Sequence, residues 1–138
     1  MIIQTVTLSF KNDILHGYQN LATDELYMAL YYATANLTGN TPVYTTDQEV
    51  VASNYAAGGN KCQNVSIKLD PQNNTAYISF DNVQWTNVSF TCRGALIYNK
   101  TQGTKSIAIL NFGSDKQAGP NFIVTLPSDT SSSALIRV

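Results

Sequence analysis

Between residues 65 and 138, short apolar–polar alternations recur about every ten residues, each closed by turn formers, a spacing that belongs to an all-β sandwich or barrel. Val65, Ile67 and Leu69 alternate with Ser66 and Lys68, and Asp70, Pro71, Gln72, Asn73 and Asn74 then supply a turn. The inward phase passes from Ile78 and Phe80 to Val83 and Trp85. A pleat of period two cannot absorb that odd step, so a bulge is expected near Asp81 and Asn82. Residues 88–98 read as one long strand with Phe90, Cys92, Gly94, Leu96 and Tyr98 on one face. Further strands are expected over 107–112, 122–126 and 134–138, with a polar connection at 127–133.

The N-terminal part is less regular. Val6, Leu8 and Phe10 alternate with Thr5, Thr7 and Ser9, the pattern of a half-buried strand over residues 2–10. A short helix is expected within 11–20, with Phe10, Ile14 and Leu15 covering one face and Gly17 ending it. Residues 24–34 are open to a helical reading. The alternation of Leu26, Met28, Leu30 and Tyr32 with Tyr27, Ala29 and Tyr31 favours a strand. Residues 36–64 read as loop, broken by Gly39, Pro42 and the Gly58-Gly59 pair, with a brief extended piece near Tyr44. No repeat, linker or charge block divides the chain. The expectation is therefore one all-β domain over 1–138, a jelly-roll-like β-sandwich with one short N-terminal helix, residues 1–10 forming an arm or edge strand.

Composition narrows the function. Eight basic and nine acidic residues leave a net charge of −1, which excludes a nucleic-acid partner held by a basic field. Charged residues make up 12%, about half the ordinary share of roughly 25%, while Asn, Thr, Ser and Gln together supply 48 residues. The surface is thus expected to be polar but uncharged. No apolar run reaches the roughly 18 residues of a membrane helix, so no membrane partner is expected. Residues 1–7 lack both a basic start and an unbroken apolar stretch, which reads against a secretory signal. The five N-x-S/T sequons at Asn36, Asn64, Asn73, Asn87 and Asn99 are accordingly expected to be unused.

Candidate chemistry is sparse. Two cysteines and one histidine cannot close a tetrahedral zinc site, and neither a metal nor another cofactor is expected. Cys62 and Cys92 read as small buried residues that pair only if the fold brings them together. His16 follows Asp13 by three positions, close enough for a local hydrogen bond in a helix, but it lacks a nearby nucleophile and an oxyanion site. Asp70, Asp81, Asp115 and Asp129 stand beside turns, which explains them without catalysis. Trp85, Tyr27, Tyr31, Tyr32, Tyr44 and Tyr55 offer a sugar-stacking platform as one reading, although the phase of Trp85 favours the core. Tyr27 and Tyr31, opposite Leu26 and Leu30, read as an exposed pair. With Tyr44 they are the candidate interface residues.

A series of motifs goes further. NYAAGG (Tyr55, Gly58, Gly59), VQWTN (Val83, Trp85), FTCRGALIYNKT (Arg93, Gly94, Ala95, Leu96, Ile97, Tyr98, Asn99), AILNFGSDK (Phe112, Gly113, Ser114, Asp115, Lys116) and ALIRV follow one another in order. In this the chain resembles a family of small tailed-phage virion proteins, which carry a GYxAGG loop, a V-x-W segment, an ARGALIYN strand and a DFGSDK-like turn. FKNDILHG, DELYMALYYATANL and YTTDQE are similar to that family's opening, so the likeness spans most of residues 10–138. Cys62 and Cys92 depart from it, standing where the family has small or apolar residues. Residues 2–9 extend beyond its usual start, as an exchanged or capsid-bound arm would. The resemblance implies a structural component of the particle and not an enzyme. Its closest implied role is a capsid cement or decoration protein on the exterior of the head. Such a protein is assembled in the bacterial cytoplasm, partners the major capsid protein and forms a homotrimer. A tail, neck or fibre-adaptor subunit, or a glycan-binding module, are the alternatives.

Overall fold

The computed structural model describes residues 1–127 and 130–138; Ser128 and Asp129, in the expected polar connection, lie outside the described residues. Its centre is the pair formed by β2 (Leu26–Tyr31) and β7 (Phe90–Asn99), antiparallel, with Leu26 opposite Asn99 and Tyr31 opposite Gly94. β8 (Lys105–Ala118) flanks β7, β1 (Thr5–Val6) flanks β8, and β3 (Asn60–Lys61) flanks β2, giving the order β1-β8-β7-β2-β3. Two smaller antiparallel pairs complete the strands: β4 (Ser66–Asp70) with β5 (Thr75–Ser79), and β6 (Val83–Thr86) with β9 (Asn121–Val124). Among the described residues one helix, α1 (Leu8–His16), accompanies them. The all-β expectation holds with one short helix among the described residues, which starts earlier than expected and buries Phe10 while leaving Leu15 88% exposed. The finer jelly roll is not established by this pairing, which draws one five-stranded sheet and two pairs among the described residues.

The runs LYMALY and GALIY carry no charged residue, and both faces of the central sheet are covered accordingly. On one face Leu26, Met28 and Leu30 meet Cys92, Ala95, Ile97 and Ile107, under Phe10 of α1, Ile78 of the β4–β5 hairpin and Trp85 of β6. On the other, Ala29, Tyr31, Leu96, Tyr98 and Ile109 pack with Ile2, Ala35 and Leu37. Period-two alternation in β2 thus feeds two cores instead of a core and solvent.

Three expectations about phase are corrected. First, Phe90 and Cys92 share a core with Ala95 and Ile97, not with Leu96 and Tyr98. The register shifts here: Cys92 faces Lys116 and Gly94 faces Asn111, so residues 112–115 bulge from β8 opposite Arg93. The expected FGSD turn is this bulge. Second, the odd step after Phe80 is not a bulge within one strand. β5 and β6 belong to different sheets, and the chain crosses between them at 80–82, where the Asp81 amide donates to the Gln63 carbonyl at 3.0 Å. Third, the expected strand over 2–10 gives way at Leu8, which is exposed, while Phe10 is buried. Extended Thr7 caps α1 by accepting the Phe10 amide on Oγ1 at 3.3 Å, and Gly17 ends the helix in the left-handed region at φ 72°.

Both ends of the chain are tied down. The Met1 ammonium donates to the Ala35 carbonyl at 2.8 Å and the Ile3 amide to Leu37 at 2.9 Å, while β1 pairs with β8. Residues 1–6 therefore lie along the β8 edge of the five-stranded sheet. At the other end Ala76 and Val138 exchange backbone hydrogen bonds of 2.9 and 2.8 Å, so the expected terminal strand lies as a bridged segment beside β5.

Candidate functional site

A buried polar cluster forms where the long loop after β2 folds back over the central sheet. The Val50 amide donates to the Leu30 carbonyl at 2.9 Å and the Tyr32 amide to Gln48 at 3.0 Å, which draws Glu49 onto the end of β2. There the Glu49 side chain is only 4% exposed for the residue as a whole. Its Oε1 accepts the Tyr44 hydroxyl at 2.5 Å, and its Oε2 accepts the Tyr55 hydroxyl at 2.7 Å and the Gly58 amide at 2.8 Å. The network continues outward. Tyr98 donates to the Gly58 carbonyl at 2.7 Å, Tyr31 donates to the Thr45 carbonyl at 2.6 Å, and the Leu30 amide donates to the Tyr55 oxygen at 2.8 Å. A buried carboxylate needs such donors, since unpaired it would carry the full cost of leaving water. Chemically the arrangement is a clamp: one acidic side chain fixes residues 44–58 on the edge of β2.

Tyr27, Tyr31 and Tyr44 are indeed brought together, but around Tyr98 and facing inward. Tyr44 stacks on Tyr98 with ring centroids 4.7 Å apart, and Tyr27 approaches Tyr98 at 6.1 Å. Tyr27 is partly buried under Lys100, whose Nζ lies 4.5 Å from the ring centroid. The expected exposed pair is corrected at Tyr31, which is 0% exposed because β2 is covered on both faces. The sugar platform loses three of its six members, since Tyr31, Tyr55 and Trp85 are buried, while Tyr27, Tyr32 and Tyr44 are half-buried. Trp85, at 2%, packs beside Tyr55 and Phe122 as its phase requires.

Burial, with Glu49 close by, raises the phenols of Tyr31, Tyr55 and Tyr98, the last to about 12; Tyr44 is raised by the same two causes. Burial also pushes the free thiols of Cys62 and Cys92 up to about 12. These groups stay protonated in the folded chain at a pH where the unfolded chain has released their protons. Their contribution to stability is therefore complete below about pH 9 and is lost as pH rises toward the folded values. Each fully buried group removes about 1.4 kcal/mol per pH unit in that window. The urea midpoint is expected to be level to about pH 9 and to fall steeply by about pH 11, with the phenolate absorbance of the four clustered tyrosines appearing together with unfolding. A midpoint unchanged across that range contradicts the buried cluster.

A second polar cluster joins α1 to the β7–β8 turn. Asp13, buried, accepts Gln19 Nε2 at 2.9 Å, with Lys105 Nζ 3.8 Å away. Asn99 Nδ2 donates to Gln19 Oε1 at 3.1 Å and to Asp24 Oδ2 at 2.8 Å, so this sequon asparagine is a buried structural residue. His16 does not bond Asp13. Its Nδ1 lies 2.9 Å from the Asn12 carbonyl and its ring stacks on Tyr18. Among the described residues no group of three or more His, Cys, Asp or Glu side chains is placed to hold a metal ion, and no helix is long and apolar enough to cross a membrane.

Glu49 with Tyr44, Tyr55 and Gly58 forms the clamp, and in the sequence Glu49 shows only as the last residue of YTTDQE. The available signal is a carboxylate flanked by Tyr44 and by a tyrosine and a glycine pair at 55–59, in a chain with few charges. The Arg93–Asp115 ion pair, Nε to Oδ1 at 3.0 Å, spans the β8 bulge and links two of the motifs. No family model matches this chain, and no curated protein or solved structure matches it.

Proposed function

We propose that this chain is a structural component of a tailed-phage virion, a cement or decoration protein. It binds the major capsid protein from outside the head and reinforces contacts between capsomers. One observation supports the reading most: the motifs carrying the phage resemblance spend their distinctive residues on the framework. Tyr55 and the Gly58 amide meet at Glu49, Tyr98 holds the Gly58 carbonyl, Arg93 meets Asp115, and Trp85 fills a core. A sequence pattern that encodes a stiff body, with a surface poor in charge, suits a protein whose value is adhesion. Repetition over a capsid lattice lets a modest single contact hold by avidity.

The test is stoichiometry in purified particles of the phage that encodes this chain. A cement role predicts a copy number comparable to that of the major capsid protein, with the chain retained on heads stripped of tails. A copy number that is a small fraction of the capsid protein's, following the tails, overturns the cement role in favour of a tail or neck subunit. Absence from washed particles overturns the virion reading altogether.

A further inference from the structure

The β4–β5 hairpin has two edges, and only one of them is filled. On the β5 edge Ala76 donates to Val138 at 2.9 Å and accepts from it at 2.8 Å, and the Ile78 amide donates to the Ile136 carbonyl at 3.1 Å. In an antiparallel ladder a residue turns its N–H and C=O to one side, and its neighbours turn theirs to the other. Ala76 and Ile78 therefore face the C-terminal segment, which leaves Thr75, Tyr77 and Ser79 to bond β4. Their partners in the hairpin register are Asp70, Lys68 and Ser66. Ile67 and Leu69, lying between those partners, turn both backbone groups away from β5. Among the described residues nothing bonds these two N–H and two C=O groups. The same two residues are 50% and 74% exposed. Their side chains share the face of Ile78 and Ala76, where an apolar groove of about 360 Å³ separates Ile67 from Ile14 of α1.

We propose that the β4 edge is a strand-addition site for an extended segment of a partner protein that carries apolar residues at every second position. The unbonded backbone groups select this occupant. They repeat at every second residue, roughly 6.7 Å apart, a spacing that an extended backbone matches. A helix does not match it, because its amides are bonded within the helix. The groove selects the side-chain pattern. Alternate residues of an added strand fall on the face of Ile67 and Leu69, against the groove, and the intervening ones fall on the face of Ser66, Lys68 and Asp70 and are polar. β4 contains neither the proline nor the bulge that closes an edge to pairing, and Lys68 stands on the face away from the groove. The C-terminal segment, bonded along β5, is an example within the chain of this hairpin taking up an extended segment. The inference stands apart from the virion reading, because it rests on backbone geometry and needs no capsid.

A short synthetic peptide of alternating valine and threonine, with a lysine at each end, tests the site by titration into the isotope-labelled full chain. It is expected to bind with a Kd of about 1 mM or tighter, since main-chain hydrogen bonds supply the affinity. With peptide at roughly five times its Kd, the Ile67 and Leu69 amides are expected to exchange with solvent about 6-fold more slowly. An added strand turns only one set of its amides to β4. N-methylation of the valines alone and of the threonines alone is therefore expected to abolish binding in one peptide and spare it in the other. This pair is read on the unchanged chain. Ile67→Pro removes a donor that bonds nothing within the chain, so it is expected to keep the fold and weaken binding about 10-fold or more. The inference is overturned if no binding is seen at about 5 mM peptide, if protection falls elsewhere than on Ile67 and Leu69, or if the two methylated peptides bind alike. A folded Ile67→Pro chain that binds like the wild type overturns it too. So does a wild-type dimer in sedimentation equilibrium that Ile67→Pro abolishes, because the occupant is then a second copy.

Discussion

Gly59→Ala is expected to unfold much of the chain at room temperature, whereas Gly113→Ala, with a similar backbone angle, is expected to leave it folded. Both glycines occupy the left-handed region, at φ 77° and 82°. An L residue there costs roughly 1–2 kcal/mol. The surroundings separate them. A Cβ on Gly113 meets nothing within 4 Å, but on Gly59 it lies 1.8 Å from the Met28 carbonyl oxygen and 2.7 Å from the Ala29 Cα. Those atoms are backbone of β2, held between β3 and β7 with both faces buried, so the strand cannot move aside. The loop must lift instead. Lifting breaks the pairing of Asn60 with Met28, takes the Gly58 amide from Glu49 and strands the Tyr98 hydroxyl. Each buried polar group left unpaired costs roughly 1–3 kcal/mol. Three such losses plus strain come to about 5 kcal/mol, a large share of the 5–15 kcal/mol that holds a domain together. Urea denaturation of the two variants compares them, and midpoints that agree would show that the close approach does not govern stability.

That contrast also marks what was legible in the sequence. Local features were: Gly17 stopping a helix, Asp70 accepting the amides of Gln72 and Asn73 in a turn, and Leu26, Met28 and Leu30 pointing to one side of a strand. Each is decided within a few residues. The helix start at Leu8 was hidden because Thr7 is as good a strand residue as a cap, and Phe10 stands where a capping box would show a glutamate. The odd step after Phe80 was visible but ambiguous, since a bulge and a change of sheet both invert the phase. The run from Phe90 to Tyr98 looked regular because its break is made by residues 112–115 of the partner strand.

The clamp was hidden for a related reason. A glutamate in a polar loop normally points into water, and nothing near Glu49 says otherwise. What buries it is the backbone of Leu30 taking Val50, together with a glycine turn that presents one amide inward. Tyr27 and Tyr31 look like surface residues in the sequence because period two assigns one face of a strand to solvent. That assignment fails once a loop covers the second face. An aromatic-rich alternation in the middle strand of a sheet is therefore weak grounds for an interface.

Glu49→Ala is expected to cost roughly 3–5 kcal/mol, because it leaves the Tyr44 and Tyr55 hydroxyls and the Gly58 amide without their acceptor in a buried site. For a chain of this length that lowers the thermal midpoint by about 10 °C or more. Glu49→Gln is expected to fall between wild type and alanine. The amide keeps one acceptor oxygen but turns an NH2 toward a donor, and hydrogen bonds to a charged group are worth about 1.5–3 kcal/mol against ~1 for neutral pairs. Tyr55→Phe removes one donor to Oε2, so the cycle of Glu49→Gln with Tyr55→Phe isolates their contact, with an expected coupling of about 1–3 kcal/mol. The penalty of Glu49→Ala should persist at high salt, since the site is buried. The exposed Arg93–Asp115 pair, worth at most ~1 kcal/mol, should lose what it contributes. A Glu49→Ala cost below about 1 kcal/mol, or a coupling near zero, would mean that the loop is held by apolar packing and the carboxylate is a passenger.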